Sequence, residues 1–341
     1  MSHPSTASGE IERVTVVGAG AWGTALALVA LRAGRRVSLL ARDPDAVAAY
    51  RDHLRMPGRF GDLPLDPGLD IGLDPAAALD RTDLVIVAVP AQATRSVVRS
   101  IRSGLPSGLP VLGAAKGLEH GSRATIGEIF AEELPGTIPA VLSGPSFAID
   151  VARGLPTAVT VASTDDSTTG RIARALSSSS FRPYGSRDLV GVEIGGALKN
   201  VLAIASGIVV GRGLGASAQA ALIARGFAEL SRLGRALGAE TETLMGLSGL
   251  GDLVLTATSP QSRNFSLGLA IGGGGSVSEL TAAGTKLAEG VHTAAVAVDF
   301  AAARGVELPI TAAVAEVVAE RLDVDTAIER LMNRPLKRET D

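Results

Sequence analysis

The chain has 341 residues, with 32 Lys+Arg against 35 Asp+Glu, four histidines, no cysteine, one Trp, two Tyr and seven Phe. At ~100–200 residues per domain, this length predicts two domains. The formal net charge of −3 excludes a broadly basic nucleic-acid-binding surface, the few aromatics exclude single-strand stacking platforms, and the missing cysteine excludes disulfides and thiolate metal sites.

Residues 1–12 begin Ser/Thr/Pro-rich without an apolar leader and are predicted to be a tail. Residues 13–189 alternate short β-branched runs with amphipathic segments. In chain order they predict a strand at Val14–Val17, a helix at Ala21–Ala33, a strand at Arg36–Leu40, a helix at Pro44–Arg55 and a buried strand at Leu84–Val89. A helix at Thr94–Arg102, a strand at Pro110–Ala114, a helix at Ala124–Glu133 and strands at Pro139–Leu142 and Thr157–Val161 follow. A helix at Asp166–Leu176 and a last strand at Phe181–Ser186 end this part. Uncharged Val/Ile runs alternating with helices predict an α/β fold, a Rossmann-type doubly wound parallel sheet covered on both faces.

From 190 to 335 strand-like runs stop and a helical period prevails, predicting an all-α second domain; residues 336–341 read as tail. Val192–Val210 reads as a long buried helix, followed by Ala218–Leu237, Val277–Ala283, Gly290–Arg304, Ile310–Glu320 and Val324–Met332. The apolar stretches Ala21–Leu31 and Val201–Gly211 fall short of the ~18–20 residues a membrane-spanning helix needs. No membrane span is therefore expected, and the cytoplasm is the expected location.

Gly18-Ala19-Gly20-Ala21-Trp22-Gly23 follows the first strand and opens a helix. In that context Gly18 permits a tight turn, Gly20 lets backbone approach a pyrophosphate, and Gly23 lets helix pack on strand. The helix start at Ala21 and Trp22 then offers unpaired N–H groups to phosphate. Cofactor choice is read about 20 residues onward, where an acidic residue would bond a ribose 2′-OH. The chain presents Arg42 there, suited to a 2′-phosphate, so NADP is preferred. Asp43 keeps NAD open, or caps the helix that starts at Pro44.

Lysine occurs only at Lys116, Lys199, Lys286 and Lys337; every other cation is arginine. Lys116, in Ala114-Ala115-Lys116-Gly117-Leu118-Glu119, falls just past a strand end, where open α/β sheets bind ligands. Ser143-Gly144-Pro145-Ser146-Phe147-Ala148 is a second strand-end loop, with backbone N–H groups and the Ser146 hydroxyl available to a ligand. In Gly195-Gly196-Ala197-Leu198-Lys199-Asn200, helical spacing puts Val192, Gly196, Lys199, Ala203 and Ser206 on one stripe. Two glycines beside a lysine inside a helix predict close approach by something other than a bulky side chain, and a desolvated ammonium able to donate a proton to a developing alkoxide. Asp252, in Ser248-Gly249-Leu250-Gly251-Asp252-Leu253, can orient an ammonium, with Thr256 a helical turn beyond; Arg263, between Ser262 and Asn264, offers a planar fork for phosphate. His3, His53, His120 and His292 form no pair at ligand spacing, so no metal is expected.

These segments together resemble the bacterial NAD(P)-dependent glycerol-3-phosphate dehydrogenase family. Gly18–Ala27, Lys116–Glu119, Ser143–Ala148, Gly154–Ala158, Gly195–Val201, Gly249–Leu253 and Ser262–Asn264 carry the resemblance, in order, over roughly residues 13 to 335. It implies an enzyme interconverting dihydroxyacetone phosphate and sn-glycerol 3-phosphate, feeding glycerophospholipid synthesis, with a C-terminal domain like that of 6-phosphogluconate dehydrogenase and a homodimer through its helices. It further implies Lys199 as the proton-exchanging residue, with Lys116 and Asp252 beside it. Lys116, Gly144, Ser146, Lys199, Asp252, Ser262, Arg263 and Asn264 would contact substrate. Trp22, Arg42, Lys116, Ala148, Arg263, Leu287 and Glu289 would contact the cofactor.

The chain departs from the family pattern at Gly213–Ala218, which lacks the usual acidic and amide residues, at Phe265-Ser266, where a second basic residue often follows Asn264, and mildly in the loop Ala91-Gln92-Ala93, with alanine where serine is usual. A paralogous dehydrogenase of a related phosphorylated hydroxy compound, and a catalytically silent NADP-binding sensor, are the competing readings.

Overall fold

The computed structural model describes residues 9–56, 60–61, 63–282, 288–336 and 338. The first eight residues of the expected tail, together with Lys286, Leu287 and Lys337, lie outside the described residues.

Eight strands form one sheet: β1 (Arg13–Val17), β2 (Arg36–Leu40), β3 (Asp70–Gly72), β4 (Leu84–Val87), β5 (Pro110–Gly113), β6 (Ile138–Ser143), β7 (Thr157–Ala162) and β8 (Phe181–Ser186). Their order is β3-β2-β1-β4-β5-β6-β7-β8. The chain runs outward from β1 to β3 and then returns to pair β4 with the other edge of β1. That reversal opens a crevice at the C-terminal ends of β1 and β4, directly under the Gly18–Gly23 turn.

The expectation of an all-parallel sheet needs one correction. Strands β1 to β6 are parallel, but β7 runs antiparallel to β6, with Leu142 opposite Val161, and β8 runs parallel to β7. The reason is the connection after β6. Its helix, Ala148–Ala152, has five residues and is too short to carry the chain back across the sheet, so β7 re-enters from the end where β6 left. Strand β3 escaped the sequence reading because three residues, Asp-Ile-Gly, with Ile71 alone buried, carry no periodicity.

All elements after β8 are helical among the described residues. The helix Leu189–Gly211 is capped by Asp188, which accepts the Gly191 N–H at 2.7 Å. It spans 23 residues, long and apolar enough to cross a membrane, yet 89% of its most apolar window is buried inside the protein. The helices Ala216–Ala236, Asp252–Thr258, Arg263–Gly272, Glu289–Ala302 and Pro309–Val318 all pack on it. At the sheet side its Val192 joins Val141 of β6 and Ala162 of β7 in a small apolar cluster.

Its tightest neighbour is the helix Arg263–Gly272. Gly207 and Gly211 face it, and Gly268 and Gly272 face back, so the two backbones touch: a Cβ at Gly268 would run into the Ile204 carbonyl, and one at Gly207 into that of Phe265. Burying backbone on backbone leaves no flexible side chain to yield. Gly268→Val is accordingly expected to lower the unfolding free energy by about 3 kcal/mol or more. Urea unfolding followed by circular dichroism measures it, and a loss within about 0.5 kcal/mol, as at an ordinary surface site, would refute backbone contact there.

Candidate active site

At the crevice Gly18 adopts φ +110°, and a Cβ there would meet the Ala88 carbonyl at 2.9 Å. A Cβ at Gly23 would collide with the Gly18 carbonyl, whereas Gly20 faces open space. The turn thus presses helix onto strand on one side and leaves backbone bare on the other. Among the described residues, the helix Ala21–Arg32 has no side-chain cap and no acid in its first turn, so its leading N–H groups point unpaired into the crevice. The Trp22 Nε1 is buried without a partner there. Arg42, at the end of β2, is exposed and makes no hydrogen bond or ion pair among the described residues, while Asp43 accepts from the Asp45 N–H at 3.1 Å and caps the next helix. These residues fit an adenine dinucleotide: a bare turn for the pyrophosphate and a free guanidinium where a 2′-phosphate would stand.

Across the crevice, Lys116 and Lys199 converge on one carboxylate. Lys116 Nζ donates to Asp252 Oδ2 at 2.7 Å and to the Gly144 carbonyl at 3.0 Å. Lys199 Nζ donates to Asp252 Oδ1 and, at 3.1 Å, to the Thr256 hydroxyl. An ammonium has three N–H donors; each lysine spends two and keeps one. The Asp252 side chain is 1% exposed, Lys199 7% and Lys116 13%.

Local structure explains the convergence. A Cβ at Gly196 would stand 2.8 Å from Ser143 Oγ and 3.5 Å from Lys116 Cγ, and one at Gly195 2.7 Å from the Ser248 carbonyl. The two glycines inside the helix therefore admit a strand end, a lysine stem and a backbone turn; the close approach was expected from the sequence, the neighbours were not. That turn, Leu247–Gly251, is a single wide π turn closed by Gly251 N to the Gly246 carbonyl, and it delivers Asp252 at the head of its helix. The Ser143 and Ser248 hydroxyls are buried beside the helix without partners.

Burial pushes the Lys199 ammonium down to about 7, with Lys116 adding to the fall and Asp252 opposing it. Burial alone would raise the Asp252 carboxyl, but the two ammoniums outweigh it and hold it below its ordinary value. Glu289, at the start of its helix, is raised by burial against the opposing pull of Arg263, Lys199, Lys116 and His292.

The remaining sequence candidates divide. Asn264 Nδ2 donates to Asn200 Oδ1 at 3.0 Å and its Oδ1 accepts the Gly290 N–H at 2.9 Å, leaving one amide hydrogen over. Arg263, exposed beside it, makes no hydrogen bond or ion pair among the described residues. Ser262 is buried and accepts the Phe265 N–H at 3.2 Å as the cap of that helix. Ser146 donates to the Gly144 carbonyl at 2.9 Å, and Ala148 opens the short helix after β6, against the sheet core.

Three partners had no assigned role at the sequence level. Asn200, whose Nδ2 reaches the Lys116 carbonyl at 3.4 Å, joins the two lysine segments, and Gly290 completes the amide chain. Gln92 grips the loop after Lys116 from both sides, donating to the Leu118 carbonyl and accepting the His120 N–H, each at 2.8 Å. Only Asn200 left a signal, its place beside Lys199. In the departing loop, Gly213 and Gly215 take positive φ, and Gln219 beyond them donates to Ser206 Oγ at 3.1 Å and to the Ala257 carbonyl at 3.2 Å.

Residues 13–169 match the family pattern described as the NAD-dependent glycerol-3-phosphate dehydrogenase N-terminus, and residues 188–329 match its C-terminus. A glycerol-3-phosphate dehydrogenase [NAD(P)+] from Bradyrhizobium sp. (strain BTAi1 / ATCC BAA-1182) is 56% identical over 331 residues, covering 96% of this chain and 98% of that relative. This chain belongs to the NAD-dependent glycerol-3-phosphate dehydrogenase family. A second member, from Azorhizobium caulinodans, is 55% identical over 96% of this chain and 98% of its own length. The crystal structure of the glycerol-3-phosphate dehydrogenase of Coxiella burnetii superposes with a TM-score of 0.90 at 37% identity, covering 95% of this chain and 99% of that one. The Saccharomyces enzyme, at 22% identity and TM-score 0.79, shares the glycerol-3-phosphate dehydrogenase fold.

The charge cluster makes a direct prediction. Asp252→Asn strands two buried ammoniums and is expected to cost about 3–5 kcal/mol of unfolding free energy. Adding Lys199→Met should return part of that loss. Denaturant titration compares the two, and a double variant no more stable than the single one would show that Asp252 does not serve as their counter-charge.

Proposed function

We propose that the chain is an NAD(P)-dependent oxidoreductase that interconverts dihydroxyacetone phosphate and sn-glycerol 3-phosphate, in a cleft between a sheet domain (13–189) and a helical domain (190–335). The observation that carries this reading is Lys199: a buried ammonium brought near neutrality, held by Asp252 and Thr256, with one N–H left over beside the dinucleotide crevice. A bound nicotinamide dinucleotide supplies and accepts the hydride.

The chain's own residues handle position and the proton. In ketone reduction the Lys199 ammonium gives its proton to the oxygen on C2 and is left as a neutral amine; in alcohol oxidation the amine takes the hydroxyl proton. Lys116, cationic and carrying its own spare N–H, stabilises charge on that oxygen. Asp252 holds both ammoniums in place. Arg263 offers its free fork to the phosphate, with the remaining Asn264 amide hydrogen beside it. Fixing the phosphate orients the carbonyl, and such positioning lowers the barrier substantially. Retention of Lys116, Lys199, Asp252 and Arg263 in one constellation supports an active enzyme over a silent sensor.

The test is absorbance-monitored NADPH oxidation with dihydroxyacetone phosphate, and with unphosphorylated dihydroxyacetone as control. Turnover should require the phosphate, and Lys199→Ala should abolish it while NADPH still quenches protein fluorescence; near-normal turnover in that variant would overturn the role. Reduction needs Lys199 protonated, so kcat/KM for the ketone should fall as pH rises through about 7, whereas that for the alcohol should rise over the same range.

Arg42 supports NADP over NAD, since Asp43 is engaged as a cap. Arg42→Ala is expected to raise KM for NADPH at least about tenfold while changing that for NADH about twofold or less. Equal effects on both cofactors would remove the 2′-phosphate contact.

A further inference from the structure

The helix Leu189–Gly211 carries one half-buried acid that the chemistry above does not use. Glu193 lies fewer than two turns before Lys199, and its Oε1 accepts the Gly127 N–H at 2.7 Å, at the first turn of the helix Ile126–Glu133 on the sheet side. Thr125 and Glu128 already form a capping box on that turn, so Glu193 supplies from the other domain the acceptor that the local sequence lacks. The approach is close. A Cβ at Gly127 would stand 2.7 Å from Leu189 Cδ2 and 3.3 Å from Glu193 Oε2.

The other end of the docked segment is Lys116. Between Lys116 and Ile126 the chain folds back on itself, with the Glu119 N–H on the Ala124 carbonyl at 2.9 Å and the Arg123 N–H on the Glu119 carbonyl at 3.0 Å. Asn200, two turns after Glu193 on the same helix face, reaches the Lys116 carbonyl, and Gly196 between them meets the Lys116 stem. One helix face therefore grips residues 116–127 at both ends.

We propose that Glu193 is a positioning residue: docked on the turn at Gly127, it fixes where the Lys199 helix stands relative to the segment that carries Lys116. The proposal rests on the reading of Lys199 and Lys116 given above. Burial pushes Glu193 up to about 7 and the neighbouring Glu128 adds to the rise, while the Gly127 and Ile126 N–H groups and Thr125 oppose it. As pH falls through that value the carboxylate takes up a proton and its hold on the N–H groups weakens. This limb is opposite in direction to that of Lys199 in ketone reduction, so a single profile separates the two.

The experiment compares wild type, Glu193→Ala and Glu193→Gln by the pH profile of kcat for dihydroxyacetone phosphate reduction, by NADPH affinity, and by hydrogen exchange of residues 116–127. Glu193→Ala should lower kcat by about tenfold or more, with NADPH Kd within about twofold, and should speed exchange in that segment. Glu193→Gln, which like the protonated acid offers only a neutral oxygen to the N–H, should hold kcat near the wild-type low-pH level, above Glu193→Ala, lose the acidic limb and keep the alkaline one. A folded Glu193→Ala with wild-type kcat, an acidic limb unchanged in Glu193→Gln, or unaltered exchange at 116–127 would each overturn the proposal. The exchange arm needs no substrate, so it stands even if wild type fails to turn over dihydroxyacetone phosphate, a failure that would instead refute the proposed reaction.

Discussion

Two positive charges and one negative charge are held together largely out of water, and the surrounding residues are arranged around keeping them there. An ammonium leaves water only if a counter-charge meets it at hydrogen-bond distance. Here Asp252 meets two at once, Lys116 from the sheet side and Lys199 from the helical side. The pair of lysines would repel each other without it. Because the bridge needs both lysines at one carboxylate, every intervening backbone must be close. Gly195 and Gly196 are where that demand is met, and the wide π turn before Asp252 is how the carboxylate is brought into line.

The same arrangement makes chemistry of a structural cost. Lys199 is desolvated enough to bring its proton affinity near neutrality, yet not stripped of partners. A lysine held to Asp252 with less burial would stay protonated throughout the working range, and one buried alone would stay neutral. The balance between burial and counter-charge sets a group that can give and take a proton at about the same pH.

Much of this was legible in the chain. The strand-turn-glycine context of Gly18–Gly23 and the rarity of lysine pointed to the two lysine-bearing segments and the glycine turn, and the paired glycines beside Lys199 implied close approach to that helix without saying by what. What escaped has a common cause. The antiparallel entry of β7 depends on the reach of a connection, not on the pattern of either strand. The helix Arg263–Gly272 carries Asn264, Gly268 and Gly272, poor helix formers, so its helicity comes from packing on the helix Leu189–Gly211 and from the cap at Ser262. Asn200, Gln92 and Gly290 act by holding backbone from a distance in sequence, and nothing in their local surroundings announces the partner. Periodicity and motif spacing report local geometry; long-range amide contacts leave almost no trace in either.

The glycine-on-glycine contact between the helices Leu189–Gly211 and Arg263–Gly272 bears on how the cleft can move and change. With backbone resting on backbone, there is no rotamer by which one helix could slip along the other. Arg263 and Lys199 therefore ride on a single rigid block, and the distance between their positions is built into the main chain. Exposed loops such as 213–218, where a side chain added at Gly213 or Gly215 would meet nothing, can by contrast change without disturbing that spacing.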